Sequence, residues 1–393
     1  MNQTTHNTTT VTPIFPGAKL AVLGGGQLGR MFCVSALQRG YHVTVLDPDK
    51  NSPAGQLAQR HLCTTYDDTT ALDVIATCDV VTTEFENIPL DTLRYIGERT
   101  RLSPSPDAVA IAQDRSLEKK FARQLGLPTV PYVLLDAESD IATTVSALQF
   151  PAILKTARLG YDGKGQVVCN SVADVEAAFT SLGSVDCVLE QRVDLASEVS
   201  VVLARGYDSS IVVCPVAENR HENGILDVSI VPARVDEKLK LQAIQMATTL
   251  AQALDYVGVL AVEFFITHDN QVMINEMAPR PHNSGHYTLD ATSLSQFDLQ
   301  VLALCGHALP PCRLLSPVTM LNLLGDRWGN TQPDWQVLDA DNNGLPQVCQ
   351  HLHLYGKAEA RSGRKMGHIN FVAVNLDDTL NAAEHARKNL QSL

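Results

Sequence analysis

The chain has 393 residues, 45% of them hydrophobic and 19% charged, with a formal net charge of −13 at pH 7. That length exceeds one ordinary core and predicts two or three domains, while the acidic balance argues against non-specific binding to nucleic acid or an anionic membrane. No apolar run reaches the roughly 20 residues of a membrane helix, and the nine cysteines include no C-x-x-C pair, which favours reduced thiols in a cytoplasmic protein over a disulfide framework or a zinc site.

Residues 1–16 begin MNQTTHNTTT, lack an apolar segment and a basic start, and read as a disordered tail and not a signal peptide. Residues 19–23 form a short apolar strand that runs into Gly24-Gly25-Gly26-Gln27-Leu28-Gly29. A helix over 30–38, a Gly40 cap and a second strand at 42–46 ending on Asp47 complete a βαβ unit. The G-x-G-x-x-G spacing with an acid about 20 residues on is the dinucleotide fingerprint. The same turn offers a helix N-terminus to any phosphate, so the spacing does not by itself select NAD. A strand at 79–83 carries Glu84-Phe85-Glu86-Asn87 at its C-terminal end, where open parallel sheets bind ligands. A polar loop is the plain alternative. Ser103-Pro-Ser-Pro-Asp107 marks a break before helices at 107–113 and 116–125.

The grammar then changes. A strand at 152–155 ends on Lys155, the glycine-rich stretch 160–166 follows, and 167–169 is another strand. Lying between strands, that stretch is a hairpin flap and not a P-loop, whose G-x-x-x-x-G-K-[ST] pattern is absent. Its glycines let backbone amides close over phosphates and open again. A helix at 174–181, a strand at 187–191 and antiparallel strands at 198–204 and 211–216 come next. The helix at 235–254 places Leu239, Ile244, Ala247, Leu250 and Leu254 at helical spacing, as a core face.

Two β-prone runs, 259–266 and 271–276, flank the turn 267–270. A hairpin there sets Glu263 opposite Glu276, with Cβ atoms roughly 4.5–5.5 Å apart, where like charges repel. A cation removes the conflict, and two carboxylates with the Asn275 amide suit Mg²⁺ bridging nucleotide phosphates. The following loop turns basic, with Arg280, His282 and His286. Acid for a metal followed by base for an anion points to phosphoryl transfer; a hairpin of solvated acids is the plain alternative. A helix at 295–304 precedes short β-like runs at 319–324, 351–354 and 368–374, a basic block of Lys357, Arg361, Arg364 and Lys365, and a closing helix at 377–390.

Assembled in order, G-G-G-Q-L-G-R-M (24–31), T-E-F-E-N-I-P (83–89), G-Y-D-G-K-G-Q (160–166), V-E-F-F (262–265), N-E-M-A-P-R-P-H-N-S-G-H (275–286), S-Q-F-D (295–298) and G-R-K-M-G-H (363–368) resemble the ATP-grasp enzymes of purine biosynthesis. Within them the sequence is similar to the 5-(carboxyamino)imidazole ribonucleotide synthase family, from about Lys19 to the end. The resemblance implies a mixed α/β and α+β fold: a Rossmann-like pre-ATP-grasp domain (17–110), an ATP-grasp domain (111–308, its flap region 152–216) and a small β-rich C-terminal domain (309–393). It implies carboxylation of 5-aminoimidazole ribonucleotide by ATP and bicarbonate through carboxyphosphate, releasing ADP and phosphate, by a cytoplasmic homodimer.

Carried onto this sequence, the resemblance places Arg115 and Lys155 on the ATP phosphates, covered by Gly160, Tyr161, Asp162, Gly163, Lys164, Gly165 and Gln166. Backbone groups of Glu190, Gln191, Arg192 and Val193 would edge the adenine, Glu198 would take the ribose hydroxyls, and His221 and Asn275 would touch the nucleotide. Glu263 and Glu276 would hold Mg²⁺. Lys155 and Arg280 would offset charge during transfer. Tyr161 with Asp162, or the released phosphate, would accept the amine's proton, and His282 would orient. Lys357, Arg364 and Lys365, with the turn of Gly26, Gln27 and Leu28, would bind the ribonucleotide's phosphate, and either Glu84 or Glu86 would hold the aminoimidazole. Ser362 stands where the family usually has proline, and Leu289-Asp290-Ala291 replaces a stretch that often carries glycine. The competing readings are a formate-dependent glycinamide ribonucleotide transformylase of the same ATP-grasp family, an NAD-dependent oxidoreductase using the first domain, and a binding module that keeps the fold without catalysis.

Overall fold

Strand β1 (Lys19–Leu23) is buried except at Lys19, as expected of a central strand in a parallel sheet covered on both faces. The computed structural model describes residues 11–160, 165–328, 332–339 and 347–390. β1 pairs in parallel with β2 (His42–Leu46), and β3 (Arg60–Leu62), β4 (Val80–Thr83) and β5 (Arg101–Leu102) complete a five-stranded sheet of order β3-β2-β1-β4-β5. The order reverses beside β1, so the ends of β1 and β4 bring the glycine turn and the 84–87 acids into one crevice. The first helix starts at Gln27, three residues before its expected start, because Gly26 already serves as its N-cap.

The expectation of a disordered tail over 1–16 is corrected for its last residues. Ile14 N donates to the Cys305 carbonyl (2.8 Å), Arg101 donates to the Thr12 carbonyl (3.1 Å), and Tyr41 and His307 both meet the Ile14 carbonyl at 2.8 Å. Residues 1–10 lie outside the described residues.

Four strands, β6 (Tyr132–Leu135), β7 (Ala152–Thr156), β8 (Gln166–Cys169) and β9 (Cys187–Gln191), form an antiparallel sheet of order β6-β9-β7-β8. The third sheet holds β10 (Leu195–Arg205), β11 (Ile211–Val213), β12 (Ala217–Glu222), β13 (Ile225–Val231), β14 (Gly258–Thr267), β15 (Val272–Ala278), β16 (Val318–Leu324), β17 (Cys349–Leu354) and β18 (Lys365–Val372). Its order is β15-β14-β10-β12-β13-β16-β18-β17, with β11 on β10. β16 pairs with β13, so the C-terminal strands extend the sheet that begins at β10. β12 and β13 have no counterpart among the expected strands; the polar run Glu218-Asn219-Arg220-His221-Glu222 hides β12.

The helix Glu237–Ala253 is N-capped by Asp236 and buries Leu239, Ala243, Met246, Ala247 and Leu250 in one core with Val199, Val201, Leu260, Val262 and Phe264. This packing fixes β14. Gln300 ties it to the first sheet, accepting from Val259 N (2.6 Å) and donating to Thr82 Oγ1 (3.0 Å). Gly258 sits at φ +104°, and a Cβ there would lie 2.9 Å from Gln300 Oε1, so only glycine fits this join. All nine cysteines are free thiols. Among the described residues no helix is long and apolar enough to cross a membrane.

Candidate active site

The β14–β15 hairpin turns at Asn270, which takes φ +62°, and Gln271 N returns to Thr267 Oγ1 at 3.1 Å. The register sets Glu263 directly opposite Glu276. A bulge follows, pairing Phe264 with Ile274 and leaving Asn275 as the extra residue. Asn275 Oδ1 is buried without a hydrogen-bond partner, an acceptor of the kind a hard cation uses. Among the described residues no trio of His, Cys, Asp and Glu is arranged for a metal; the set here is two carboxylates and an amide oxygen.

These groups close one end of a cavity of about 790 Å³ between the four-stranded sheet and the nine-stranded sheet. On its walls Arg115 Nη1 meets Glu276 Oε2 at 2.9 Å, His221 Nδ1 meets Glu198 Oε2 at 2.8 Å, and Arg280 Nε donates to Glu86 Oε2 at 2.7 Å. Beneath them the buried Glu190 carboxylate bridges two lysines, Lys155 at 2.8 Å and Lys119 at 2.9 Å.

The site's protonation states follow from this crowding. Burial, then the facing charge of Glu276, pushes Glu263 up to about 7. Burial also opposes the charge on Glu276, but Arg115 and Lys155 outweigh it and hold its pKa below the usual carboxylate value. Glu190 behaves likewise: despite burial, Lys155 and Lys119 bring it down to about 2. Burial works against a charged His221, yet the Glu198 hydrogen bond and the Glu263 charge raise it to about 9. Burial, with Arg280 and Lys365 nearby, drives His282 well below the usual imidazole value, so it is neutral. Its Nδ1 lies 2.9 Å from Ser284 Oγ.

Most residues expected to form the site meet here. Arg115, Lys155, Gly160, Gln166, Glu190, Gln191, Arg192, Val193, Glu198, His221, Glu263, Asn275, Glu276, Arg280, His282 and Lys365 all line the cavity. Tyr161, Asp162, Gly163 and Lys164 lie outside the described residues. Gly165, at φ +72°, is not on the cavity wall.

One expectation is corrected, and three are refined. Gly26 N–H cannot serve as a free phosphate donor, because it is spent on Glu84 Oε1 (2.8 Å), while Gly29 N–H donates to Glu84 Oε2 (3.1 Å) and Gly25 N–H to Asp47 Oδ2 (2.7 Å). Glu84 is thereby an internal plug for the glycine turn and is absent from the cavity wall, which Glu86 reaches. The Glu190 side chain joins the lysines, so its part is more than a backbone edge. Lys357 and Arg364 stand off the cavity: Lys357 Nζ donates to the Lys365 carbonyl (2.7 Å) and Arg364 Nη1 to the Glu359 carbonyl (2.9 Å).

Two buried participants escaped the sequence reading, Lys119 and Glu118, which are 1% and 4% exposed. Lys119 lies four residues after Arg115, hence on the same helical face, and that spacing was the available signal. Glu118 accepts a hydrogen bond from Met277 N, and burial pushes it up to about 8.

Comparison with known proteins agrees with this architecture. The ribonucleotide synthetase preATP-grasp domain family matches residues 18–113, the ATP-grasp domain family 120–297, and the phosphoribosylaminoimidazole carboxylase C-terminal domain family 318–382. The chain is 43% identical over 360 residues to the N5-carboxyaminoimidazole ribonucleotide synthase of Bacillus subtilis (strain 168), covering 91% of this chain and 92% of the relative. The Staphylococcus aureus N5-carboxyaminoimidazole synthetase complexed with ADP superposes with TM-score 0.86 at 38% identity, covering 95% of this chain and 97% of that one. The Aspergillus clavatus enzyme in complex with ADP and 5-aminoimidazole ribonucleotide gives TM-score 0.84 at 30% identity, covering 95% and 98%. With the opposed carboxylates and the basic cavity on a fold shared along nearly its whole length, the chain belongs to the N5-carboxyaminoimidazole ribonucleotide synthase family of ATP-grasp ligases.

Proposed function

We propose that this protein carboxylates the exocyclic amine of 5-aminoimidazole ribonucleotide with bicarbonate, at the expense of ATP, and that its cavity holds the nucleotide and the acceptor together. The observation that carries the reading is the opposition of Glu263 and Glu276 in a cavity that also holds Lys155, Arg115 and Arg280. The relatives crystallised with ADP, and with ADP and 5-aminoimidazole ribonucleotide, support it.

The two carboxylates and the orphaned Asn275 oxygen fit Mg²⁺, which when bound would offset phosphate charge. Lys155 and Arg115, the latter paired with Glu276, bind the phosphates. His221, positive at neutral pH, and Glu198 form a fixed pair at the nucleotide's sugar side. A bicarbonate oxygen attacks the γ-phosphorus, the bond to the ADP oxygen breaks, and carboxyphosphate forms. Arg280, held by Glu86, stabilises the charge that develops. Carboxyphosphate then splits into CO₂ and phosphate. The amine attacks CO₂, forming the C–N bond, and its proton passes to phosphate or to the Tyr161/Asp162 pair. Neutral His282 orients through Ser284 and Glu263, and Glu86 is the acid that faces the acceptor. Lys365, propped by Lys357, and the amides of Gln27 and Leu28 hold the ribonucleotide's phosphate.

Bicarbonate carrying ¹⁸O tests the route. One bicarbonate oxygen is expected in each inorganic phosphate released; phosphate without label would overturn the phosphorylation of bicarbonate.

A further inference from the structure

We propose that Lys119 is a positioning residue that sets the net charge behind the nucleotide phosphates by sharing the Glu190 carboxylate with Lys155. The inference rests on the reading that Lys155 meets ATP. Lys119 is 1% exposed and does not reach the cavity wall. Its Nζ lies 2.9 Å from Glu190 Oε1 and 3.4 Å from the Asn275 carbonyl, just below the metal hairpin. Lys155 Nζ takes the other oxygen, Oε2, at 2.8 Å and, unlike Lys119, faces the cavity.

The arithmetic of charge gives Lys119 its purpose. A buried carboxylate is costly to leave without a partner, so Glu190 needs a cation, and it anchors Lys155 rigidly. With one lysine the pair would be neutral, and the wall facing a polyanion would contribute no net charge. The second lysine restores one positive charge to this layer without entering the site, and in a water-poor interior such a charge acts over several ångströms. A plain structural role, pinning the helix Arg115–Gln124 to β9, would instead affect stability without any charge pattern.

Calorimetric binding of ATP distinguishes the two. Lys119→Met is expected to weaken ATP binding about tenfold. Glu190→Gln, which leaves two positive charges, is expected to bind ATP at least as tightly as the wild type. The double variant, back at one positive charge, should return to within about threefold of the wild type, and Lys119→Arg should recover most of the affinity. Thermal melting of each variant separates lost affinity from lost fold, and if Lys119→Met does not fold, Lys119→Gln carries the same expectation. Wild-type affinity in Lys119→Met, or a double variant weaker than either single one, would overturn the proposal. Failure of the wild type itself to bind ATP would instead remove the nucleotide reading beneath it.

Discussion

Glu263 stands directly across the β14–β15 ladder from Glu276, and Arg115 already claims one oxygen of Glu276 at 2.9 Å. Two like charges directly opposed, with Glu263 buried, destabilise an empty hairpin, so their retention in the register has its explanation in what they hold. Glu276→Gln keeps the shape and removes one charge. ADP release is expected to fall by about 100-fold or more, with a higher Mg²⁺ requirement for what remains. Turnover like the wild type's would contradict the metal assignment.

His221 supplies a pH signature. Its pKa is about 9 because the Glu198 hydrogen bond and the Glu263 charge outweigh burial. The folded pKa lies above the unfolded one, so the stabilisation is complete below about pH 6.5 and is lost as pH rises towards 9. For a side chain 19% exposed the effect is on the order of 2–3 kcal/mol. Urea unfolding at pH 6 and pH 9 should show that loss in the wild type and a flatter dependence in His221→Gln. Equal slopes would contradict the pairing.

The glycine turn tolerates no side chain at Gly26. A Cβ there would fall 2.5 Å from Glu84 Oε1, displacing the carboxylate that accepts from Gly26 and Gly29. Gly26→Ala is expected to cost about 2–3 kcal/mol of stability, read as a lower melting temperature. An unchanged melting temperature would show that Glu84 does not hold the turn.

Lys357 acts next to Lys365, on whose carbonyl it donates at 2.7 Å. Lys357→Ala is expected to raise the KM for the ribonucleotide at least tenfold, while the KM for ATP changes less than about threefold. An equal rise in both would contradict an acceptor-specific role for the prop that Lys357 gives Lys365.

Much of this was legible in the sequence because local pattern and tertiary role coincide there. The strands β1, β2 and β9 follow their apolar runs residue for residue, and a hairpin turning at Asn270 brings Glu263 and Glu276 to the same level, although regular counting on from the Ile266–Val272 pair would set Glu263 against Asn275 and the bulge at Asn275 supplies the last one-residue shift. What was not legible depends on contacts between distant segments. Glu84 and Glu86 sit two residues apart on the same loop, yet one seals the glycine turn and the other pairs with Arg280. No spacing rule separates them. Lys119 shares a helical face with Arg115, but it stands in a run of charged residues, and the packing of β9 against its helix is what brings it onto Glu190. β12 carries Arg220, His221 and Glu222 in succession, because His221 faces the cavity while Arg220 and Glu222 are exposed.

The most direct test is ADP release with ATP, Mg²⁺ and 5-aminoimidazole ribonucleotide, with bicarbonate supplied or stripped out, beside a parallel reaction of formate with glycinamide ribonucleotide. The expected result is ADP release that requires both bicarbonate and the aminoimidazole, with labelled carbonate trapped in the product. ADP released only in the formate reaction would contradict the acceptor assignment, and no turnover in either would contradict the proposed function.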